Sequence, residues 1–223
     1  MFMKEVKVII IILLQYALST YLSIYALHKV LTINVLDLLV PIKIVLAVLS
    51  SLICFFTINI LIYRLVITFK KQKEGVYKLG SNEYLYWFYK GVVRNILLKL
   101  LDLILGGYGL FPLIYKALGA KISLSSIISA QSLSDPEFIS VGNNSVIGGK
   151  ACVLAHVIEK GSLIIKRISI GDNCVIGVGS IIMPGVTIGD NAIIAANSTV
   201  LKNQKIKKGE MWGGSPARLI KKR

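Results

Sequence analysis

Between Ile170 and Val200 a large aliphatic residue returns at every sixth position: Ile170, Ile176, Ile182, Ile188, Ile194 and Val200. Four residues after each of the first five stands a small or slim side chain: Cys174, Ser180, Val186, Ala192 and Ser198. Gly171, Gly177, Gly189 and Ala195 directly follow four of the aliphatics, with Met183 and Leu201 the departures. A period of six matches neither the 3.6 of a helix nor the 2 of a strand. It matches a parallel β-helix, in which three short strands and three corners make one coil. The aliphatics then stack down the axis, and Gly171-Asp172-Asn173 and Gly189-Asp190-Asn191 supply tight, left-handed turns. The ladder begins at Ile122 and Ile128, takes in one extra residue at Asp135-Pro136, and continues through Val141, Ile147 and Val153. Its phase slips again before Ile170, so a loop is expected to leave the prism near Glu159–Lys166.

Upstream the pattern changes. Val6–Leu27 is almost uninterrupted apolar sequence, long enough at ~1.5 Å per residue to cross a hydrocarbon core of ~30 Å. A second such stretch runs over Ile44–Ile67. A cleaved signal peptide would have a shorter apolar core and a small-x-small site after it, and neither is seen. Tyr84–Leu105 is apolar in a different way: on a helix, Lys90, Arg94, Asn95, Lys99 and Asp102 share one half and aliphatics fill the other. With five aromatic-rich positions at its start, this helix either lies in a membrane interface or packs on the β-helix as a cap. Gly106-Gly107 is expected to end it, and Pro112 to start a short helix closed by Gly119. The chain therefore divides into an anchor with two transmembrane helices (1–75), an amphipathic helical linker (76–120), a mainly β repeat domain (121–210), and a basic tail (211–223) capping the last coil.

Charge and composition refine this. A mean hydropathy of +0.72 is too apolar for an ordinary soluble protein of 223 residues. The formal charge of +15 is carried beside apolar segments and in the tail, at Lys202, Lys205, Lys207, Lys208, Arg218, Lys221, Lys222 and Arg223. That distribution suits membrane lipids and a phosphate-bearing ligand, and no nucleic acid partner is expected. Lys4 and Lys7 precede the first span, Lys70, Lys71 and Lys73 follow the second, and His28, Lys29 and Asp37 lie between. Both ends thus favour the cytoplasm, giving a multi-pass cell-membrane protein whose β-helix is cytoplasmic. Cys54, Cys152 and Cys174 have neither pairing nor metal spacing and read as packed thiols.

Of two histidines, His28 ends the first span. His156 holds the fourth position of the hexad begun by Val153, and since Val153 and Val157 point inward, it projects outward. It also sits just before the phase slip, where a loop forms one wall of a cleft. Imidazole is the side chain that ordinarily changes charge around neutral pH, which makes His156 a candidate general base.

Two motifs now carry a resemblance. Leu118-Gly119-Ala120-Lys121-Ile122 precedes the first coil, and Trp212-Gly213-Gly214-Ser215-Pro216-Ala217-Arg218 follows the last. Together with the repeat they make Leu118–Lys222 resemble the hexapeptide-repeat acyltransferases that modify sugars and xenobiotics. The resemblance implies a left-handed parallel β-helix, against the usual right-handed crossover. It also implies that His156 deprotonates an acceptor hydroxyl or amine, which attacks the thioester of acetyl-CoA or another acyl-CoA. Glu159, in an H-x-x-E arrangement, would orient the ring or steady the imidazolium. Gly179, Ala195 and Ala196 would line the pantetheine groove beside Pro216, and Lys202 and Arg218 would meet the coenzyme's phosphates. Trp212 is expected to pack on the end of the β-helix.

By the same resemblance the site lies between β-helices of a homotrimer. The two spans lie outside it and suggest a lipid-linked saccharide acceptor, with a soluble small molecule the other possibility. No metal is expected: β-helical γ-class carbonic anhydrases need three histidines, and the repeat has one. Nucleotidyltransferases with this repeat carry a nucleotide-binding domain where the spans stand, and no G-x-G-x-x-G run is present. The non-enzymatic alternative is a membrane-anchored scaffold in which the β-helix only assembles partner proteins.

Overall fold

The corners of the late coils close through one backbone conformation. The computed structural model describes residues 2–32, 40–105, 109–129 and 133–222, and in it Asn173, Gly179, Gly185, Asn191, Asn197, Asn203 and Gly209 all have φ between 54° and 81°. Such positive φ is costly for most side chains and tolerated by Gly and Asn, which is why these two types alternate at this position. Each corner turns the chain into a two- or three-residue strand, and the strands stack in parallel.

Three faces result. The first holds β2 (Lys121–Ile122), β5 (Ile139–Val141), β10 (Ile168–Ile170), β13 (Thr187–Ile188) and β16 (Lys205–Ile206). The second holds β3 (Ile127–Ile128), β6 (Val146–Ile147), β11 (Val175–Ile176), β14 (Ile193–Ile194), β17 (Glu210–Gly213) and β18 (Arg218–Lys222). The third holds β4 (Leu133–Ser134), β7 (Cys152–Leu154), β12 (Ile181–Ile182) and β15 (Thr199–Val200). In the late coils Ile170 pairs with Ile188, Ile176 with Ile194 and Ile182 with Val200, a rise of 18 residues per coil. All six are buried, at 2% exposure or less. Burial of an aliphatic of this size is worth ~1.5–3 kcal/mol, so the ladder is the main source of the domain's cohesion.

Register also accounts for both slips in phase. Ile122 pairs with Val141, 19 residues on, and the additional residue falls at Asp135, whose φ is 59° ahead of a 3-10 turn at Pro136–Phe138. Val141 pairs with Ile170, 29 residues on. The surplus forms a hairpin, β8 (His156–Glu159) and β9 (Ser162–Ile165), turning at Lys160-Gly161. The expected excursion is therefore an ordered antiparallel ribbon, and β1 (Gly75–Lys78) adds to its outer edge against β9. At the far end β18 runs antiparallel to β17, so the tail covers the edge of the last coil.

The chain forms two compact units, meeting in sequence at Phe69 and Lys70. The first is a helical pair, α1 (Phe2–Leu31) and α2 (Val40–Phe69), which contain the two expected spans and are long and apolar enough to cross a membrane. The pair carries its polarity inside. Ser19 and Asn59 are fully buried and Gln15 Nε2 donates to Asn59 Oδ1 at 3.1 Å, whereas Leu13, Leu14 and Ile53 are more than 60% exposed. The second unit holds the β-helix together with α3 (Asn82–Leu105) and the short α4 (Phe111–Ala117) that leads into β2. Asp37, the expected helix stop at Gly106-Gly107, and Arg223 lie outside the described residues.

Helix α3 belongs to this folded unit. Val93, Leu97 and Leu98 are buried, but so are Lys90 and Arg94, at 2% and 3% exposure. The half of the helix that carries these polar residues is thus partly turned inward, because acidic partners wait for it at Asp135 and Glu137.

Candidate functional site

The insertion at Asp135 and the hairpin that begins at His156 come from successive coils, yet they converge. β4 and β7 are neighbours on the third face, so the chain leaving β4 lies beside the chain leaving β7. There Asp135 Oδ2 and His156 Nδ1 stand 2.5 Å apart. Asp135 is 2% exposed. Burial pushes its carboxyl up, but the hydrogen bond to His156 and the charges of Arg94, His156 and Lys90 outweigh burial and hold it down at about 2. The carboxylate is ionised across the neutral range and can only accept, so Nδ1 carries the proton and donates it. In the neutral ring this leaves the Nε2 lone pair open, and among the described residues Nε2 takes no hydrogen bond. The imidazole is part-exposed, with a fifth of its side chain accessible.

Helix α3 supplies the other side of the carboxylate. Trp87 Nε1 donates to Asp135 Oδ1 at 2.9 Å, and Arg94 Nη1 donates to the same oxygen at 3.3 Å. The indole also meets the imidazole edge-on, with centroids 4.7 Å apart. One turn along from Trp87, Lys90 pairs with Glu137, and its ammonium lies over the Tyr86 ring at 4.8 Å from the centroid. Burial, aided by the Glu137 and Tyr89 charges, pushes the Tyr86 hydroxyl up to about 12, so it stays a neutral donor to the Lys70 carbonyl.

Glu159 does not share this cluster. On strand β8 side chains alternate, so residues three apart point to opposite sides, and the carboxylate cannot reach the ring that precedes it by three. It accepts from Lys202 Nζ at 2.5 and 2.6 Å instead. Asp135 therefore takes the ring-orienting place that the H-x-x-E pattern gave to Glu159. Lys202, expected near coenzyme phosphate, is held at the corner between the third and first faces, on the same side as His156.

The remaining expected residues gather elsewhere. Gly179 lies between β11 and β12, Ala195 and Ala196 between β14 and β15, and Pro216 follows β17. All four belong to the corner between the second and third faces. The coils approach closely there: a Cβ on Gly177 would sit 2.4 Å from Ala196 N. Ser215 Oγ bonds Thr199 Oγ1 at 2.9 Å, and Ala217 N bonds the Thr199 carbonyl at 2.8 Å, which fastens the Pro216 turn to this corner. Arg218 is exposed at the start of β18. One chain thus presents the small-residue corner and the histidine corner on different edges of its prism. Trp212 is half-buried on the last coil, its Nε1 donating to Glu210 Oε2 at 2.9 Å.

Sequence reasoning missed Asp135, Trp87 and Arg94 as members of the site. The available signal was a pair of cations one helical turn apart, Lys90 and Arg94, in a largely apolar helix, matched by Asp135 and Glu137 at a break in the repeat.

Comparison with known proteins bears on the repeat most directly. Residues 167–202 match the family model described as the hexapeptide repeat of succinyl-transferase. Over 160 residues, 69% of this chain, the sequence is 27% identical to a delta-poly-L-ornithine synthetase of Acinetobacter baumannii (strain AB307-0294). The chain spans only 12% of that protein's length. Among solved structures it is similar to a maltose O-acetyltransferase from Clostridium difficile 630, at 22% identity and a TM-score of 0.48, covering 67% of this chain and 92% of that one. A hexapeptide-repeat-containing acetyltransferase from Vibrio cholerae is also 22% identical, with a TM-score of 0.32, covering 46% of this chain and 70% of that one. Residues 167–202 thus carry a hexapeptide repeat similar to that family model, and the stacked coils realise it in three dimensions.

Proposed function

We propose that the chain is an acyl-CoA-dependent acyltransferase that moves an acyl group, acetyl by preference, to a hydroxyl or amine of a saccharide or other small acceptor. The observation that carries this reading is the imidazole of His156, fixed through Nδ1 by an ionised, buried carboxylate and open at Nε2. That is the arrangement a general base needs: proton acceptor outward, orienting partner behind. His156 Nε2 takes the acceptor's proton as the acceptor oxygen or nitrogen attacks the thioester carbonyl. Collapse of the tetrahedral intermediate breaks the C–S bond, and the imidazolium returns the proton to the departing coenzyme A sulfur. The new ester or amide is the product, and the base is regenerated. Asp135, ionised throughout, steadies the imidazolium that forms between the two transfers.

The coenzyme is assigned to the corner of Gly179, Ala195, Ala196 and Pro216, with Arg218 toward its phosphates; Lys202, held by Glu159 on the histidine corner, would reach them only from a second copy. Since that corner and the His156 corner lie on different edges of one prism, a complete site needs a second copy, as in a trimer. The second face supports such an assembly: its outward positions are Ile127, Val146, Val175 and Ile193, whereas the first face shows Lys121, Ser140, Ser169, Thr187 and Lys205. Left-handed winding of the coil belongs to the same reading.

The apolar exterior and polar seam of α1 and α2 suit a bilayer, where polar groups must find partners inside. Lys70, Lys71 and Lys73 favour a cytoplasmic side for the β-helix, where acyl-CoA is found, and with it a membrane-associated acceptor. Calorimetry of the detergent-solubilised chain with acetyl-CoA tests the reading. Binding that Arg218→Ala weakens, and turnover that His156→Ala abolishes with coenzyme affinity nearly unchanged, is the expected result. Absence of any binding by the native chain would leave the scaffold alternative.

A further inference from the structure

We propose that helix α3 is a working part of the site, with Trp87 and Arg94 as positioning residues that set Asp135 for His156. The functional meaning of this proposal rests on the acyltransferase reading above. Its structural content does not.

A carboxylate on a short side chain has two oxygens to place, and here each has a separate task. Oδ1 receives Trp87 Nε1 and Arg94 Nη1, both from α3; Oδ2 receives His156 Nδ1. Asp135 comes from no strand. It occupies a left-handed residue at the inserted position between β4 and the 3-10 turn, so the sheet ladder alone does not dictate where its side chain goes. Fastening Oδ1 from α3 removes the rotation that would take Oδ2 away from the ring. Trp87 contributes twice, because its ring also packs edge-on against the imidazole and limits swinging about the Cα–Cβ bond of His156. The neighbouring Lys90–Glu137 pair ties the same helix to the 3-10 turn that follows Asp135.

Energetics argue against a merely structural cap. A helix that only covered the β-helix would do so best with aliphatics, since burying an ion pair is often neutral or unfavourable beside a hydrophobic contact of equal size. Arg94 and Asp135 are nevertheless 3% and 2% exposed, and the second carboxylate oxygen is turned to the only histidine of the repeat. Asp135 and His156 stand among the early coils, whereas α3 lies outside the coils altogether, so this chain's base is set by a segment that is no part of the β-helix.

The test uses the full chain in detergent micelles. With only His28 and His156 present, imidazole N–H signals are few, and His156→Asn assigns those of the site. The native chain is expected to show a far-downfield Nδ1–H proton from His156, lost in Asp135→Asn. Trp87→Phe keeps a ring and removes the donor, and Arg94→Met removes the cation. Each is expected to shift that proton upfield or broaden it beyond detection, while Lys99→Met, on an exposed position of the same helix, leaves it in place. Arg94→Lys is expected to restore it in part. In parallel, coenzyme A release from acetyl-CoA should fall about ten- to hundredfold in Trp87→Phe with KM for acetyl-CoA within about twofold, the size of loss expected from a misplaced base. If Trp87→Phe folds as the native chain does and its Nδ1–H signal is unmoved, the positioning role is overturned. If the signal moves and the native chain turns over no acetyl-CoA, the positioning stands and the acyltransferase reading fails.

Discussion

Replacing Asp135 by Asn leaves the shape of the side chain and removes its charge, which makes it a direct probe of the buried cluster. In the native chain the carboxyl is held at about 2 against an ordinary value of 3.8. That difference corresponds to roughly 2 kcal/mol of folded-state preference for the charged form. The sign follows from the lowered folded value: the contribution is fully present above about pH 4, and it is lost as pH falls from there through about 2. The substitution also removes the carboxylate charge that faces the Arg94 guanidinium, 3% exposed. Breaking a buried ion pair costs ~3–5 kcal/mol, of which a neutral amide oxygen still accepting from Trp87 and Arg94 recovers a part. A loss of about 3 kcal/mol at pH 7 is therefore expected, equivalent to roughly 6–12 °C in the melting of a unit this size. Melting is followed through near-ultraviolet circular dichroism, where Trp87 and Trp212 report on the β-helix unit, at pH values from 7 down to 2. The native chain should lose stability steeply below pH 4, and the variant should show a flatter acid limb from a lower start. A variant that melts with the native chain at pH 7, or that keeps the same acid limb, would mean that the carboxylate is not the charged centre of the cluster.

Three further outcomes follow from the architecture. If the two corners of the prism meet across copies, His156→Ala and Arg218→Ala chains mixed and reassembled should regain a fraction of native turnover that neither shows alone, and absence of any recovery would place both in one chain's site. Gly177→Ala should destabilise the β-helix by ~1–3 kcal/mol in thermal melting, because the added Cβ would stand 2.4 Å from the Ala196 backbone nitrogen. Asn59→Leu removes the buried partner of Gln15 Nε2 from the helical pair, and a loss of about 1 kcal/mol in its resistance to denaturing detergent is expected, with the β-helix melting unchanged.

The repeat was legible because its determinants are local. An aliphatic at one position in six and a Gly or Asn three residues later each answer to a single corner, and Ile170–Val200 states that rule with little variation. Both breaks in phase were visible at Asp135 and beyond Val153 for the same reason. What they become was not visible, because a hairpin and a buried carboxylate depend on partners far away in sequence: β1 is drawn to β9 across 84 or more residues, and Asp135 meets Arg94 across 41. The hexad count singled out His156, but the residue begins the hairpin strand β8, where Val157 is only part-buried and the count no longer governs which way side chains point. Its partner was not legible, since the choice of Glu159 followed a spacing pattern while the strand at His156–Glu159 sends the two side chains to opposite sides. The inward turn of Lys90 and Arg94 on α3 was hidden for the same reason, since the carboxylates that draw them in, Asp135 and Glu137, are far along the chain.

The tail strand has a consequence for the length of the whole object. Parallel coils of equal size have no built-in end, since the rim of any coil is a template for another, including one from a neighbouring molecule. By doubling back against β17, β18 covers the second face's share of that rim with a strand of reversed direction, basic at Arg218, Lys221 and Lys222. A further coil arriving in the parallel sense finds an antiparallel edge and like charge. The strand Arg218–Lys222 thus works as a stop on the second face, ending its parallel stacking with a strand of the opposite sense.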